Sequence, residues 1–172
     1  RRSMTALPPT YYLHVWWARR PLVASRAAVL ASLLPEDADP EKFLHALGIH
    51  GDPVAAKVRI EAAKRTGENL GPNVYGYPRA FSYLPTIEEQ SWIKSESNRA
   101  GLRNPVVLDP TAGGGSIPLE AIRLELDTLA NDLNPVASII LKQTLEAPLK
   151  HGEVVLQRFN SLATEFIRRA EP

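Results

Sequence analysis

The sequence predicts an α/β domain, incomplete in this chain, that follows a mainly helical amino-terminal region. Two short apolar segments with the pattern of strands flank a helical segment, which is the order of a β–α–β unit. Three consecutive glycines follow the first strand, where such units bind nucleotide cofactors. We place the boundary near Gly101 and expect residues 1–100 to be helical and residues 101–172 to begin the α/β domain.

Helices in the amino-terminal region are predicted from cap residues, first-turn prolines and glycines after the last turn. Their predicted ranges are residues 21–34, 41–47, 53–65 and 86–99, and Val54 and Val58 of the third are expected to face inward. A loop rich in Gly and Pro over residues 67–78 separates the third helix from the fourth. The fourth is expected to begin at a capping box, because Thr86 and Glu89 have the required spacing.

The first strand is predicted at residues 106–108, an apolar run bounded by prolines. Asp109 then lies at its carboxyl end, and Gly113–Gly115 follows it. Glycines permit a tight turn and the close approach of a ligand, because they carry no Cβ atom. We expect Ser116 to cap the next helix, with its apolar side against a sheet and its polar residues, Glu120 among them, on the other side.

A second strand is predicted from Thr128 to Asn131, and the acidic residue after it is Asp132, 23 positions beyond Asp109. In a β–α–β unit an acid at this place reaches the hydroxyl groups of a bound ribose. Asn134 is the predicted cap of the helix that follows. These residues together indicate a site for a cofactor that contains a nucleoside.

The glycine pattern distinguishes two cofactor classes. A dinucleotide site requires Gly-x-Gly-x-x-Gly, and Pro118 occupies the place of the third glycine. The Asp109 carboxylate would repel a pyrophosphate but attract an ammonium or sulfonium group. The pattern therefore favours S-adenosylmethionine over NAD, and a nicotinamide-binding oxidoreductase stays as an alternative.

The same residues carry a family resemblance. Asp109-Pro110-Thr111-Ala112-Gly113-Gly114-Gly115-Ser116 resembles the first cofactor motif of amino-group DNA methyltransferases, commonly Asp-Pro-Phe-x-Gly-x-Gly-Thr. Residues 131–135 resemble the acidic motif that follows it, and the block from His14 to Pro21 is similar to one in a family of adenine-specific DNA methylases, whose amino-terminal region is a domain of unknown function. The resemblance implies a Rossmann-like S-adenosylmethionine-dependent methyltransferase fold, incomplete in this chain, that acts on DNA.

The resemblance also implies a role for each matching residue. Asp109, Gly113 and Gly115 would line the methionine part of the cofactor. Asp132 would bind the ribose hydroxyls, and Asn134 would lie near the adenine. The full set of cofactor-binding residues implied in this way is Asp109, Pro110, Thr111, Ala112, Gly113, Gly115, Ser116, Asp132, Leu133, Asn134, His14 and Trp17.

His14 and Trp17 enter that set because their block would fold back beside the methionine end of the cofactor. The motif departs from the common pattern at Thr111, which replaces Phe, and at Ser116, which replaces Thr. The aromatic wall that the common Phe provides is therefore not predicted from the motif itself.

A catalytic motif is not found in this sequence. The resembling enzymes hold the target amino group with an Asp/Asn/Ser-Pro-Pro-aromatic motif, whereas Leu7-Pro8-Pro9-Thr10 and Asn134-Pro135-Val136 are both incomplete. We assign no catalytic residue and expect the cofactor-binding portion of a larger or split enzyme, inactive without a carboxyl-terminal catalytic segment or partner chain. The alternatives are an RNA or small-molecule methyltransferase and a non-catalytic methyltransferase-like subunit.

Positive charge is concentrated near the amino terminus. Residues 1–30 contain five arginines, interspersed with Tyr and Trp, and no acidic residue, which is typical of a nucleic-acid surface. Arg19 and Arg20 are the candidate DNA contacts, with the cofactor carboxylate or a neighbouring acidic residue as their alternative partners. A simpler interpretation is that the tryptophans pack in the core and the arginines, Arg26 included, are solvated.

The composition favours a cytoplasmic globular protein. The net charge is +1, 44% of the residues are hydrophobic, and neither a long apolar run nor a signal-peptide pattern is present, so we expect no membrane association. Four scattered histidines and no cysteine predict no metal site.

The last helix has an apolar stripe at spacings of four, three and four from Val155 to Phe166, and this pattern favours a packing role for the stripe. The two predicted strands would leave an unpaired sheet edge, which predicts self-association or a required partner.

Overall fold

The computed structural model describes Tyr11, Trp16, Ala18 and residues 20–170. From residue 20 onward the elements are α1 (Leu22–Leu33), α2 (Pro40–Ala46), α3 (Pro53–Thr66), a 3₁₀ turn (Ala80–Ser82), α4 (Ile87–Arg99), β1 (Val106–Asp109), α5 (Ser116–Arg123), β2 (Asp127–Ala130), α6 (Pro135–Leu141), a π-helical segment (Lys142–Glu146), α7 (Ala147–His151) and α8 (Glu153–Ala170).

Side-chain caps explain where α2, α3 and α4 begin, whereas α1 follows Pro21 without a side-chain cap. The Asp39 and Asp52 carboxylates accept hydrogen bonds from the first free backbone N–H groups of α2 and α3, and a proline occupies the first position of each. The capping box predicted for α4 is confirmed, because Thr86 Oγ1 accepts from the Glu89 N–H while the Glu89 carboxylate accepts from the Thr86 N–H.

Strands β1 and β2 form a two-stranded parallel sheet, with Val106 opposite Asp127 and Asp109 opposite Ala130. Helix α5 connects them, so the predicted β–α–β order is confirmed. The second strand begins at Asp127, one residue before its predicted start. The described part of the chain is therefore a helix-rich α/β structure with a small parallel sheet, and the complete Rossmann-like fold remains a prediction.

The hydrophobic core joins the amino-terminal helices to the α/β portion. Helix α1 packs against α5, and the buried cluster combines residues from α1, α2, α4 and the end of α5. Its members are Val29, Leu30, Leu33, Ala46, Leu47, Ile93 and Leu124. The elements on either side of the predicted boundary near Gly101 therefore share one core.

A buried ionic network crosses the same interface. The Arg26 Nε atom donates to Glu120 Oε2 at 2.6 Å, and Arg123 Nη1 donates to Glu120 Oε1 at 2.8 Å. Arg26 Nη2 also donates to the Tyr83 carbonyl at 2.9 Å. Both Arg26 and Glu120 are fully buried. The expectations of a solvated or DNA-binding Arg26 and a solvent-facing Glu120 are therefore wrong, because each charge is neutralised inside the protein.

The start of α5 also differs from its prediction. Gly115, with a φ of +78°, precedes the helix, Ser116 is its first residue, and no side chain caps it. The left-handed backbone at Gly115 turns the chain from the glycine loop directly into the helix.

Across the residues that the structure describes, no helix combines the length and the apolar composition that a membrane span requires.

Candidate cofactor site

The loop between β1 and α5 is fixed by hydrogen bonds across the ends of both strands. The Ala112 N–H donates to the Asn131 carbonyl at 3.0 Å, and the Asn131 N–H donates to the Asp109 carbonyl at 2.9 Å. The buried Asp109 carboxylate accepts from the Thr111 N–H at 3.2 Å. The loop is therefore ordered by the sheet beneath it, which is a requirement of a preorganised ligand site.

Asp132 connects this loop to the segment after β2. Its Oδ1 atom accepts from the Asn134 N–H at 2.8 Å and its Oδ2 atom accepts from the Gly113 N–H at 2.7 Å. Asn134 in turn caps α6, because its Oδ1 atom accepts from the Val136 N–H at 2.9 Å. The hydrogen bonds from Asn134 and then Gly113 lower the pKa of Asp132, since both stabilise the ionised carboxylate.

We expect the pKa of Asp132 in the folded chain to lie below the value of about 3.9 that is usual for Asp. Because the pKa of Asp132 is lower in the folded chain than in the unfolded chain, the ionised carboxylate stabilises the folded chain. This contribution to the free energy of unfolding is complete above the pKa of the unfolded chain and is lost as the pH falls through the pKa of the folded chain. An NMR titration of the Asp132 carboxyl carbon measures the midpoint directly. The urea-unfolded chain provides the reference, and an equal or higher midpoint in the folded chain would contradict the assigned hydrogen bonds.

Trp16 lies directly on the glycine loop. A Cβ atom at Gly113 would come 2.6 Å from Trp16 Nε1, and one at Gly114 would come 3.2 Å from Trp16 Cβ. Gly113 has a φ of +52°, so its backbone conformation also favours glycine. On the other side of the loop, a Cβ atom at Gly115 would come 3.0 Å from a Leu141 methyl group. The three glycines thus allow contact with Trp16 on one side and α6 on the other.

A cleft of about 220 Å³ opens between the loop and the amino-terminal segment. Tyr11, Trp16 and Arg20 line the amino-terminal side, and the Tyr11 hydroxyl donates to the Arg20 carbonyl. The loop side consists of Asp109, Thr111, Ala112, Gly113, Gly114 and Ser116. Because complete small-molecule sites usually enclose roughly 300–1,000 Å³, the cleft has room for only part of a nucleoside cofactor.

The structure brings some of the predicted site residues together in this cleft and leaves others outside it. The predicted residues that line it are Asp109, Thr111, Ala112, Gly113, Ser116 and Arg20. Pro110 and Gly115 belong to the loop without lining the cleft, Asp132 and Asn134 bond to the backbone beside it, and Leu133 is almost fully exposed. His14, Trp17 and Arg19 lie outside the described residues.

Sequence reasoning did not assign Trp16 to the cofactor site. The predicted cofactor set contained its neighbour Trp17 instead, and the tandem Trp16-Trp17 is the signal that would have identified both rings as candidates. Tyr11 was predicted only as part of a nucleic-acid surface, and Gly114 was not included in the cofactor set. Both also line the cleft.

The groups around the cleft are suited to a cationic ligand or to a zwitterionic ligand. Asp109 contributes a buried carboxylate, Trp16 contributes an indole ring, and the exposed residue Arg20 contributes a guanidinium group. An aromatic face attracts a cation within about 6 Å of its centre. Pro118, which replaces the third glycine of a dinucleotide motif, is fully buried in α5. This chemistry fits a sulfonium or ammonium ligand better than a pyrophosphate.

A family model described as a protein of unknown function (DUF1156) matches residues 2–48. The matched range contains the block from His14 to Pro21, so the chain is similar to that domain in its amino-terminal region, as the resemblance implied. Trp16 and Arg20 of the cleft also lie in it. The match ends before β1 and does not include the glycine loop. No curated protein and no solved structure matches this chain.

Proposed function

We propose that this chain is the cofactor-binding portion of an S-adenosylmethionine-dependent DNA methyltransferase that acts on the amino group of adenine. One observation carries the proposal: the glycine loop after β1, the buried Asp109 carboxylate and the Trp16 ring enclose a single cleft. When bound, S-adenosylmethionine supplies an activated methyl group. The chain's own residues bind and orient the cofactor.

The methionine part of the cofactor would occupy the cleft. Its ammonium and sulfonium charges complement the Asp109 carboxylate, and the indole of Trp16 adds a cation–π interaction. The Arg20 guanidinium group lies on the same cleft and is suited to a carboxylate. A zwitterionic amino acid therefore has a partner for each of its charged groups.

Asp132 would accept hydrogen bonds from the ribose hydroxyls of the cofactor. Each of its carboxylate oxygens accepts one backbone N–H group, from Asn134 or from Gly113. A carboxylate has about four lone-pair sites, so each oxygen retains capacity for one hydroxyl group of a diol. In this role Asp132 fixes the glycine loop and accepts the ribose hydroxyls at the same time.

The proposal that DNA is the substrate is based on the motif resemblance and on the position of Arg20. Arg20 is exposed beside the cleft, where it can contact a phosphate group when the cofactor does not use it. We propose that a carboxyl-terminal catalytic segment or a partner chain holds the flipped adenine, because Asn134-Pro135-Val136 lacks the second proline of a base-binding motif.

Calorimetric titration of S-adenosylmethionine and NAD into the full chain tests this proposal. We expect saturable binding of S-adenosylmethionine only, weakened roughly 10- to 100-fold by Asp132→Ala, because hydrogen bonds to a carboxylate are lost. Asp127→Ala, which removes an exposed carboxylate at the start of β2, is the matched control and should bind normally. Binding of NAD alone, or no saturable binding to a chain with a folded circular dichroism spectrum, would refute the proposal.

A further inference from the structure

Helix α8 presents an apolar stripe that the rest of the described chain does not cover. The helix has 18 residues and is therefore about 27 Å long. None of its residues is buried within the part of the chain that the structure describes. The stripe consists of Val155, Phe159, Leu162 and Phe166, whose exposed fractions lie between 47% and 71%.

The spacing of the stripe is that of a coiled-coil seam. Steps of four, three and four residues assign Val155 and Leu162 to heptad position d and Phe159 and Phe166 to position a. Leu156 and Ala163 then occupy the e positions beside the seam, and both are apolar. The seam is therefore wider on its e side than a strict a/d stripe.

We propose that α8 pairs in antiparallel orientation with α8 of a second copy of this chain. The stripe is self-complementary about a point between Asn160 and Ser161. In this register Phe159 faces the second copy's Leu162, and Val155 faces the second copy's Phe166, so each aromatic ring meets a smaller aliphatic side chain. The resulting interface is isologous and closes at two copies.

The charged residues beside the seam select this orientation. Arg158 and Glu165 occupy the two g positions, and antiparallel helices bring g positions opposite each other. Arg158 therefore meets the second copy's Glu165, and symmetry repeats the pair. In a parallel pair the g positions would face e positions, which are Ala163 and Ala170, and no charges would be matched. Both apolar size and charge thus favour a second copy as the occupant.

Charge exchange across the seam is the sharpest test of this pairing. We expect the wild-type chain to dimerise with concentration in sedimentation equilibrium at low salt, and Arg158→Glu and Glu165→Arg each to raise the dissociation constant roughly 5- to 30-fold, because two attractive pairs become repulsive. The double variant Arg158→Glu/Glu165→Arg should return the constant close to the wild-type value. Phe159→Asp should abolish the dimer.

Arg168→Glu is the matched control, because it makes the same charge change at a c position and disrupts the pair of Arg168 with Glu165 inside the helix. It should leave the dissociation constant unchanged. The proposal would be overturned if the chain were a monomer at all concentrations. It would also be overturned by a dimer that is insensitive to the seam variants, which is the result expected for pairing through the sheet edge, or by a double variant that dimerises as weakly as the single variants. Cofactor binding is not involved, so the result is independent of the proposed function.

Discussion

Replacing Glu120 with Gln is expected to lower the free energy of unfolding by about 3–5 kcal/mol. The substitution keeps the shape of the side chain but removes the negative charge that Arg26 and Arg123 share. Arg26 would remain fully buried without a counter-charge, and the new amide N–H₂ group would face guanidinium donors. Because the network joins α1 to α5, both portions of the chain should unfold at a lower urea concentration.

Urea unfolding followed by circular dichroism measures this loss. Glu146→Gln is the control, because it removes the carboxylate of an exposed ion pair with Lys150 and should leave the unfolding midpoint almost unchanged. The double variant Arg26→Met/Glu120→Leu should be less destabilised than Glu120→Gln, since it leaves no fully buried charge without a counter-charge. Equal midpoints for Glu120→Gln and Glu146→Gln would contradict the buried network.

Replacing Gly113 with Ala should destabilise the glycine loop by roughly 2–5 kcal/mol, the sum of a backbone cost and a packing cost. About 1–2 kcal/mol of this comes from a left-handed backbone at a residue with a Cβ atom, because Gly113 has a φ of +52°. Overpacking adds about 1–3 kcal/mol, because the new methyl group would lie 2.6 Å from Trp16 Nε1. Loss of the Trp16 wall should also weaken binding of S-adenosylmethionine.

A double-mutant cycle separates the two costs. Gly101→Ala is the matched control, because Gly101 has a φ of +83° and a Cβ atom added there would have no neighbour within 4 Å. Gly113→Ala should therefore be clearly more destabilising than Gly101→Ala. The additional variant Trp16→Ala should remove the difference. If Gly113→Ala and Gly101→Ala cost the same with Trp16 present, the contact between the ring and the loop would be refuted.

Local signals predicted the local structure well. The capping box at Thr86 and the cap at Asn134 each fix a helix start through bonds between neighbours in sequence. The strand at residues 106–109 follows from its apolar run and flanking prolines. These features depend on a few adjacent residues, so the sequence contains the information needed to locate them.

Long-range pairing is what the sequence patterns did not reveal. Arg26 and Glu120 are 94 positions apart, and each resembles an ordinary solvent-facing charge within its own helix. The exposed Val54 and Val58 show the opposite error, since apolar spacing predicts that they face inward while α3 buries Ala56 and Ala63 instead. Which face of a helix is covered depends on its neighbours in three dimensions.

In the candidate site as well, the sequence predicted the local features and not the long-range contacts. The loop from Asp109 to Ser116 was identified from its glycines, because their conformational requirement is local. The contact of Trp16 with that loop joins residues almost a hundred positions apart, so no local spacing encodes it, and only the family resemblance implied that this block lies beside the cofactor. Asp132 was expected to face a ribose, and its hydrogen bonds to the loop backbone became visible only in the structure.

The buried Arg26–Glu120 pair also limits where the chain can be divided into fragments that fold. A fragment that begins at Gly101 would retain the glycine loop and both strands, yet the Glu120 carboxylate would lose its fully buried partner and α5 would lose its cover by α1. The α/β portion is therefore not a module that can be exchanged by itself between chimaeric proteins. A recombination point that keeps both the cleft and the ion pair should lie amino-terminal to Tyr11, so that Trp16, Arg26 and Glu120 are inherited together.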